Sequence, residues 1–294
     1  MKRSAILVSA VGLLLLFTFY FHAPVAAQKD KQTTQSTPLL TRTTTRHDSR
    51  RLGYGGAVTI VGAPAGSITI EGWQRSEVDI SAEVELRAPS APDLDLLAAV
   101  ETFVVDEDAN HIRIIAIGTH DKKFMKRVAK NFPKYLIGLP WKVDYRIKVP
   151  SMCDLAIDAG NGPIRLSGVE GSIRINALES AADLSLTGSD VSVIIQKGTV
   201  NFTIPARAWH GLRAELKLAS GNLNVGLMPG FNGDINAEVL RTGEVKNTFP
   251  GLEPRERNSI GPRSVRARAG NGGAMLTFTV GDGTIQVGSV SSKQ

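Results

Sequence analysis

The sequence predicts an all-β fold, a repetitive β-solenoid or β-helix-like stack of short strands, with one or two short helices inserted in the N-terminal half. Two observations predict it. The first is a five-residue phrase, Gly-x-apolar-polar-apolar, at Gly56–Ile60, Gly66–Ile70, Gly162–Leu166, Gly171–Ile175, Gly198–Phe202, Gly221–Val225, Gly233–Ala237 and Gly283–Val287. Ala182–Leu186 and Ser189–Val193 are variants without the glycine. Strict alternation marks a short strand with one buried and one wet face, and the glycine opens the turn before it. The second is the spacing of the phrase, short and slightly irregular, which fits stacked rungs that bury their apolar faces against their neighbours.

The first residues read as a signal peptide, 1–27. Lys2 and Arg3 precede an apolar run from Ala5 to Phe21, and Pro24 and the small residues Val25-Ala26-Ala27 place cleavage after Ala27. Gln28 is thus the expected mature N-terminus, and N-terminal sequencing of protein from the native envelope reads it directly. An uncleaved anchor is the competing reading, because the run is near the lower length limit for spanning a bilayer. The segment 28–52, rich in Thr, Gln, Ser, Lys and Arg, is expected to be a disordered polar tether.

Ordered structure is expected from Gly53. Two rungs, 58–60 and 68–70, lead to Trp73 and a longer strand over 78–86. Asp93 is placed as the N-cap of a short helix carrying Leu94, Leu97, Ala98 and Val100. A hairpin follows, with strands 103–105 and 112–117 around the polar turn 106–110. Within a basic insert over 121–134, Phe124, Met125, Val128 and Phe132 fall on one side at helical spacing. Lys122, Lys123, Lys126, Arg127 and Lys130 fall on the other, and Pro133 stops the helix. Alternation resumes over 141–149 and is densest over 155–237. The stretch 241–268, rich in Gly, Pro and Arg, reads as a long loop. Two strands, 274–280 and 284–287, close the repeat domain at 290, and 291–294 form a tail.

Val143-Asp144-Tyr145-Arg146-Ile147-Lys148-Val149-Pro150, the serial Gly-x-Ile-x-Ile rungs, Gly270-Asn271-Gly272-Gly273-Ala274 and the closing Asp282-Gly283-Thr284-Ile285 appear in that order. Together with Gly66–Trp73 followed by Glu77-Val78, this succession resembles the bacterial putative-adhesin family over 53–290. The resemblance implies an exported β-strand repeat domain of unknown function. The basic insert departs from the family's plainest members.

The formal net charge is +6, and Lys122, Lys123, Lys126, Arg127, Lys130 and Lys134 concentrate as many cations in one segment with no acid among them. That segment is the candidate contact site for an anionic surface. Arg255, Arg257, Arg263, Arg266 and Arg268 form a second basic stretch. The partner itself is not legible; anionic lipid headgroups, acidic polysaccharide and another envelope protein all fit. Nucleic acid does not, since export removes it and no aromatic-basic interleaving is present.

No catalytic, cofactor or metal site is expected. Asp106-x-Asp108-x-Asn110 imitates the start of a calcium loop, but His111 stands where glycine is needed and Ile117 where the final Glu is needed. His47, His111, His120 and His210 have no ligand-spaced partners. Cys153, the only cysteine, shares the parity of Leu155 and Ile157 and should face the core. The motifs of serine hydrolases, phosphate-binding loops and cysteine-histidine pairs are missing. The outward residues Thr59, Thr69, Arg165, Arg174, Ser185, Asn201, Asn224, Asn236 and Gln286 form a polar row that alternation requires for solubility.

The sequence therefore describes an exported, non-enzymatic β-repeat protein of the periplasm, cell envelope or exterior, acting by surface contact. One alternative is an envelope sensor or scaffold anchored in the inner membrane by an uncleaved N-terminal segment. The other is a glycan-active β-helix enzyme with Asp154, Asp158, Asp183 and Asp190 converging in one groove.

Overall fold

The computed structural model describes residues 38–128, 131–256 and 260–290. The expected signal peptide with its cleavage point, residues 28–37 and the tail 291–294 lie outside the described residues. In chain order the elements are β1 (Leu40–Arg51), β2 (Ala57–Val61), β3 (Ile68–Trp73), β4 (Glu77–Ala88), α1 (Ala91–Ala98), β5 (Thr102–Asp108), β6 (His111–Ile117) and α2 (Lys122–Val128). Then follow a 3-10 turn (Lys134–Leu136), β7 (Trp141–Pro150), β8 (Asp154–Asn161), β9 (Ile164–Ser167), β10 (Ile173–Ser185), β11 (Gly188–Ile204) and β12 (His210–Leu227). The last are β13 (Gly233–Asn247), β14 (Leu252–Pro254), β15 (Ser264–Ala269) and β16 (Met275–Ser289). The fold is mostly β, as the alternation predicts, and all sixteen strands belong to one large sheet.

Two ladders share the long strands. In one, Val58, Leu155, Ile173, Val191, Ala214, Leu276 and Ile235 are successive cross-strand partners. In the other, Ile68, Ile164, Ala182, Val200, Leu223, Ile285 and Val245 are. The strands β8, β10, β11, β12, β16 and β13 pair in parallel, and both sets of side chains are buried in one continuous core. Parallel pairing with both ladders facing one core explains the Val/Ile/Leu content of the inward positions. The predicted parity holds: Ile164, Ile173, Leu184, Val200 and Leu223 are buried, while Arg165, Arg174 and Asn201 are exposed and Ser185 and Asn224 half-buried. Cys153 is buried, as its parity implies.

Between the two ladders each long strand turns a corner, and glycine holds it in β11, β12, β13 and β16, while β10 has Ser180 at that register position. Gly198, Gly221 and Gly283 are register partners with φ of +144°, +136° and +139°. A Cβ on Gly221 would stand 1.8 Å from the carbonyl oxygen of Gly198. At these three positions the glycine of the repeated phrase is thus required twice over, by backbone sign and by the neighbouring rung.

Several elements differ from the sequence reading. Residues 40–51, read as tether, form strand β1, which pairs with β4 through twelve consecutive residues from Leu40↔Ala88 to Arg51↔Glu77. Ser90, not Asp93, caps α1. Pro92 sits in its first turn, so the cap lies one residue before Ala91; the Ser90 hydroxyl accepts from the Asp93 amide at 3.3 Å and donates to Asp93 Oδ2 at 2.6 Å. In the β5–β6 hairpin the strands run to Asp108 and from His111, so only Ala109 and Asn110 remain as turn. The stretch 241–268 is largely strand: the second half of β13, then β14 and β15. In β15, Val265, Ala267 and Ala269 are buried between exposed Arg266 and Arg268, an alternation that the small alanines conceal. The two closing strands are one, β16.

Candidate functional site

The basic insert leaves β6 through Gly118, Thr119 and His120 and returns into β7. Asp121 starts α2 by accepting the amides of Lys123 and Phe124 at 2.9 and 3.1 Å. Those backbone hydrogen bonds hold its carboxyl below the ordinary range. Lys126 and Arg127 occupy the last turn, where a cation favours the helix dipole. α2 is described as far as Val128, and residues 131–133 are not helical, so the helix stops short of the Phe132 that the spacing includes. The chain then descends to Phe132, which packs against the core, and Leu136, which is fully buried. The Tyr135 hydroxyl donates to Asp93 Oδ1 at 2.7 Å, tying the insert to α1.

Lys122, Lys123, Lys126 and Arg127 are all exposed, and Phe124 and Met125 are half-buried. Among the described residues, these four cations make no ion pair. Lys134 is exposed but lies in the 3-10 turn, off the helix that carries the others. Lys130 and the Val128 side chain lie outside the described residues. The second basic stretch is different in kind. Arg268 and Arg255 lie 3.0 and 3.9 Å from Asp234, and Arg263 donates to the Arg241 carbonyl at 2.9 Å. Arg257 lies outside the described residues. In that stretch Arg266 is exposed with no ion pair among the described residues, so the α2 cations differ by standing as four such charges close together on one short helix.

Beside α2 the insert encloses a groove of about 940 Å³ that the sequence reading missed. Met125, Ile137, Leu139, Pro140, Trp141 and Pro64 supply apolar lining, and Lys122 and Lys126 stand with them. Thr119 and His120 complete it. The available signal was the apolar run Ile137-Gly138-Leu139-Pro140-Trp141 directly after a cationic helix.

Under Thr119 lies Glu101, 2% exposed. The Thr119 amide and hydroxyl donate to its Oε1 at 3.2 and 2.5 Å, while Oε2 has no hydrogen-bond partner among the described residues. Burial pushes this carboxyl up to about 7. In the unfolded chain it ionises near its ordinary value of 4.5, so between those values the folded state binds more protons. Stability should accordingly fall as pH rises from about 4.5 to 7, by about 3 kcal/mol in total, and level off above that. Urea unfolding at pH 5 and pH 8 should show the loss, and Glu101→Gln should remove most of it.

The other nominated groups are occupied locally. The Arg113 guanidinium lies 2.6 Å from Asp106 and 3.2 Å from Asp108, filling the calcium-like turn with its own cation. The Thr59 hydroxyl and His111 Nε2 are 2.8 Å apart. Asp154 accepts from the Ser172 amide, Asp158 from Asn176, Asp183 from Asn201 and Asp190 from Arg213, each across to a neighbouring strand. These four carboxylates are not brought together in one groove.

No family model matches the chain, and no curated protein matches it. Among solved structures it is similar to a putative cell adhesion protein from Clostridium sporogenes ATCC 15579, with 11% identity, a TM-score of 0.41, and coverage of 84% of this chain and 100% of that one. It is also similar to a putative adhesin from Bacteroides fragilis NCTC 9343, at 11% identity and a TM-score of 0.27, covering 84% and 97%. A third similar structure is a putative adhesin from Parabacteroides merdae ATCC 43184, at 9% identity and a TM-score of 0.22, covering 83% and 95%.

Proposed function

We propose that this is an exported, non-enzymatic β-solenoid of the cell envelope that works by surface contact, with the exposed cations of α2 facing an anionic partner. The observation that carries the reading is the charge state of that helix: Lys122, Lys123, Lys126 and Arg127 exposed within two turns, without an ion pair among the described residues. Several exposed arginines on the strands are instead matched to acids, as Arg165 is to Asp183 and Arg213 to Asp190. Charge left unmatched at one place raises the local concentration of anions and steers their approach.

Parallel rungs support the solenoid part. Bridging side chains are eighteen residues apart between β8, β10 and β11, and twenty-three apart between β11 and β12. One strand and its return in about twenty residues is the repeat length of a coil that stacks on itself. Pairing of each groove-candidate carboxylate with a neighbouring strand favours a binding role over a hydrolytic one.

Anionic liposomes should cosediment with the wild type at low salt. The quadruple change Lys123→Gln, Lys126→Gln, Arg127→Gln, Lys130→Gln should reduce that binding at least tenfold with an unchanged melting temperature. Raising salt from 0.05 to 0.5 M should do the same, because exposed charges are screened within about 10 Å at 0.1 M. Failure of the wild type to bind at low salt sinks the reading.

A further inference from the structure

We propose that the groove beside α2 holds the alkyl chain of a long-chain fatty acid, with the carboxylate between Lys122 and Lys126. The proposal deepens the anionic-contact reading, since it uses one side of the same helix, and it names what the site takes.

The lining argues for an alkyl chain. Six apolar side chains form the walls, and the volume, about 940 Å³, stands at the upper end of the ~300–1,000 Å³ typical of small-molecule sites. Met125 brings an unbranched, polarizable side chain that adapts to a flexible ligand. The polar groups in the lining offer little to a peptide. The Thr119 hydroxyl is already donated to Glu101, and burial lowers the His120 pKa, disfavouring the charged form of a ring that lies 5.4 Å from that of Trp141. A peptide laid here would bury backbone N–H and C=O groups without partners, at a cost that an alkyl chain does not incur.

Charge at the rim argues for the anion. Lys122 and Lys126 sit at i and i+4 on α2, one above the other on one face. No carboxylate is among the groove's lining residues. A cation pair at the mouth of an apolar slot is complementary to a ligand with one anionic end and one apolar end.

Trp141 lines the groove and supplies the readout. The full chain is titrated with a sixteen-carbon fatty acid brominated at mid-chain, since bromine quenches only an indole that it touches. Saturable quenching at micromolar concentration is expected. Trp141→Phe should abolish it, leaving the emission of Trp73 and Trp209 as internal reference. Shortening the alkyl chain should weaken binding by up to about fourfold per methylene removed. Met125→Glu should weaken it at least tenfold, and exposed Ile137→Asp serves the same purpose if Met125→Glu misfolds. Lys122→Gln with Lys126→Gln should weaken the acid but leave its methyl ester unaffected.

Absence of saturable quenching, or quenching that survives in Trp141→Phe, overturns the proposal. So does affinity indifferent to chain length. Trp141 emission that changes on dilution together with a dimer in sedimentation, and no quenching, assigns the groove to a second copy instead. Lys123 and Arg127 do not line the groove, so the two readings fail separately. Quenching without liposome binding removes the contact reading alone, and liposome binding without quenching removes the fatty-acid site alone.

Discussion

Replacing Ile173 with aspartate is expected to leave the domain unfolded at room temperature. Ile173 is 1% exposed and sits in register between Leu155 and Val191. The substitution removes a full aliphatic side chain from the core and puts a carboxylate there with no cation in reach. Together these effects cost about 5 kcal/mol or more, comparable with the whole stability of a typical domain. Ile173→Val should cost only about 1 kcal/mol, since it removes one methylene. Arg174→Asp, one residue along on the exposed side, should shift stability by no more than about 0.5 kcal/mol. Circular dichroism and urea unfolding of the three variants decide it. Equal effects at 173 and 174 are incompatible with the register described here.

The second large effect is expected at the corner. Gly221→Ala combines a φ of +136° with a Cβ placed 1.8 Å from a backbone oxygen. The conformation alone costs about 1–3 kcal/mol. The clash cannot be relieved by turning a side chain, because the obstructing atom belongs to the next rung's backbone. A total of about 4 kcal/mol is expected, with several corners disturbed at once. Gly55→Ala is the control. Gly55 also has a positive φ, +68°, but a Cβ there meets nothing within 4 Å, so about 1 kcal/mol is expected. If the two glycines prove equally replaceable in thermal unfolding, rung contact at the corner is not what selects glycine.

What the sequence disclosed follows from what burial imprints. Strands with one face in the core carry period-two apolarity, and there the reading placed inward and outward residues correctly from Leu155 to Ala237. Strand β1 carries no such imprint. None of its twelve residues is buried, so its order comes from the backbone ladder to β4, and a run such as Thr43-Thr44-Thr45 looks the same in a tether as at a sheet edge. The second half of β13 hides for the same reason, with Val245 alone buried between Arg241 and Asn247. The α2 cations were legible because their spacing is local. The groove was not, because Pro64, Thr119, Met125 and Trp141 meet only through the fold.

The position of β16 has a consequence for timing. Although last among the described strands, it lies between β12 and β13 and is the sole parallel partner of β13. A chain emerging N-terminus first can add β10, β11 and β12 to the growing stack as each appears. It cannot seat β13 when β13 appears, because the strand that must lie beneath it has yet to arrive. The segment 233–269 therefore waits, its β13–β15 hairpin formed at most on its own, until residues 275–289 slide into place and both neighbours close on them. Completion of the fold is thus gated by the arrival of the last strand, so the segment from residue 233 onward is expected to be the last part of the domain to become protected during folding.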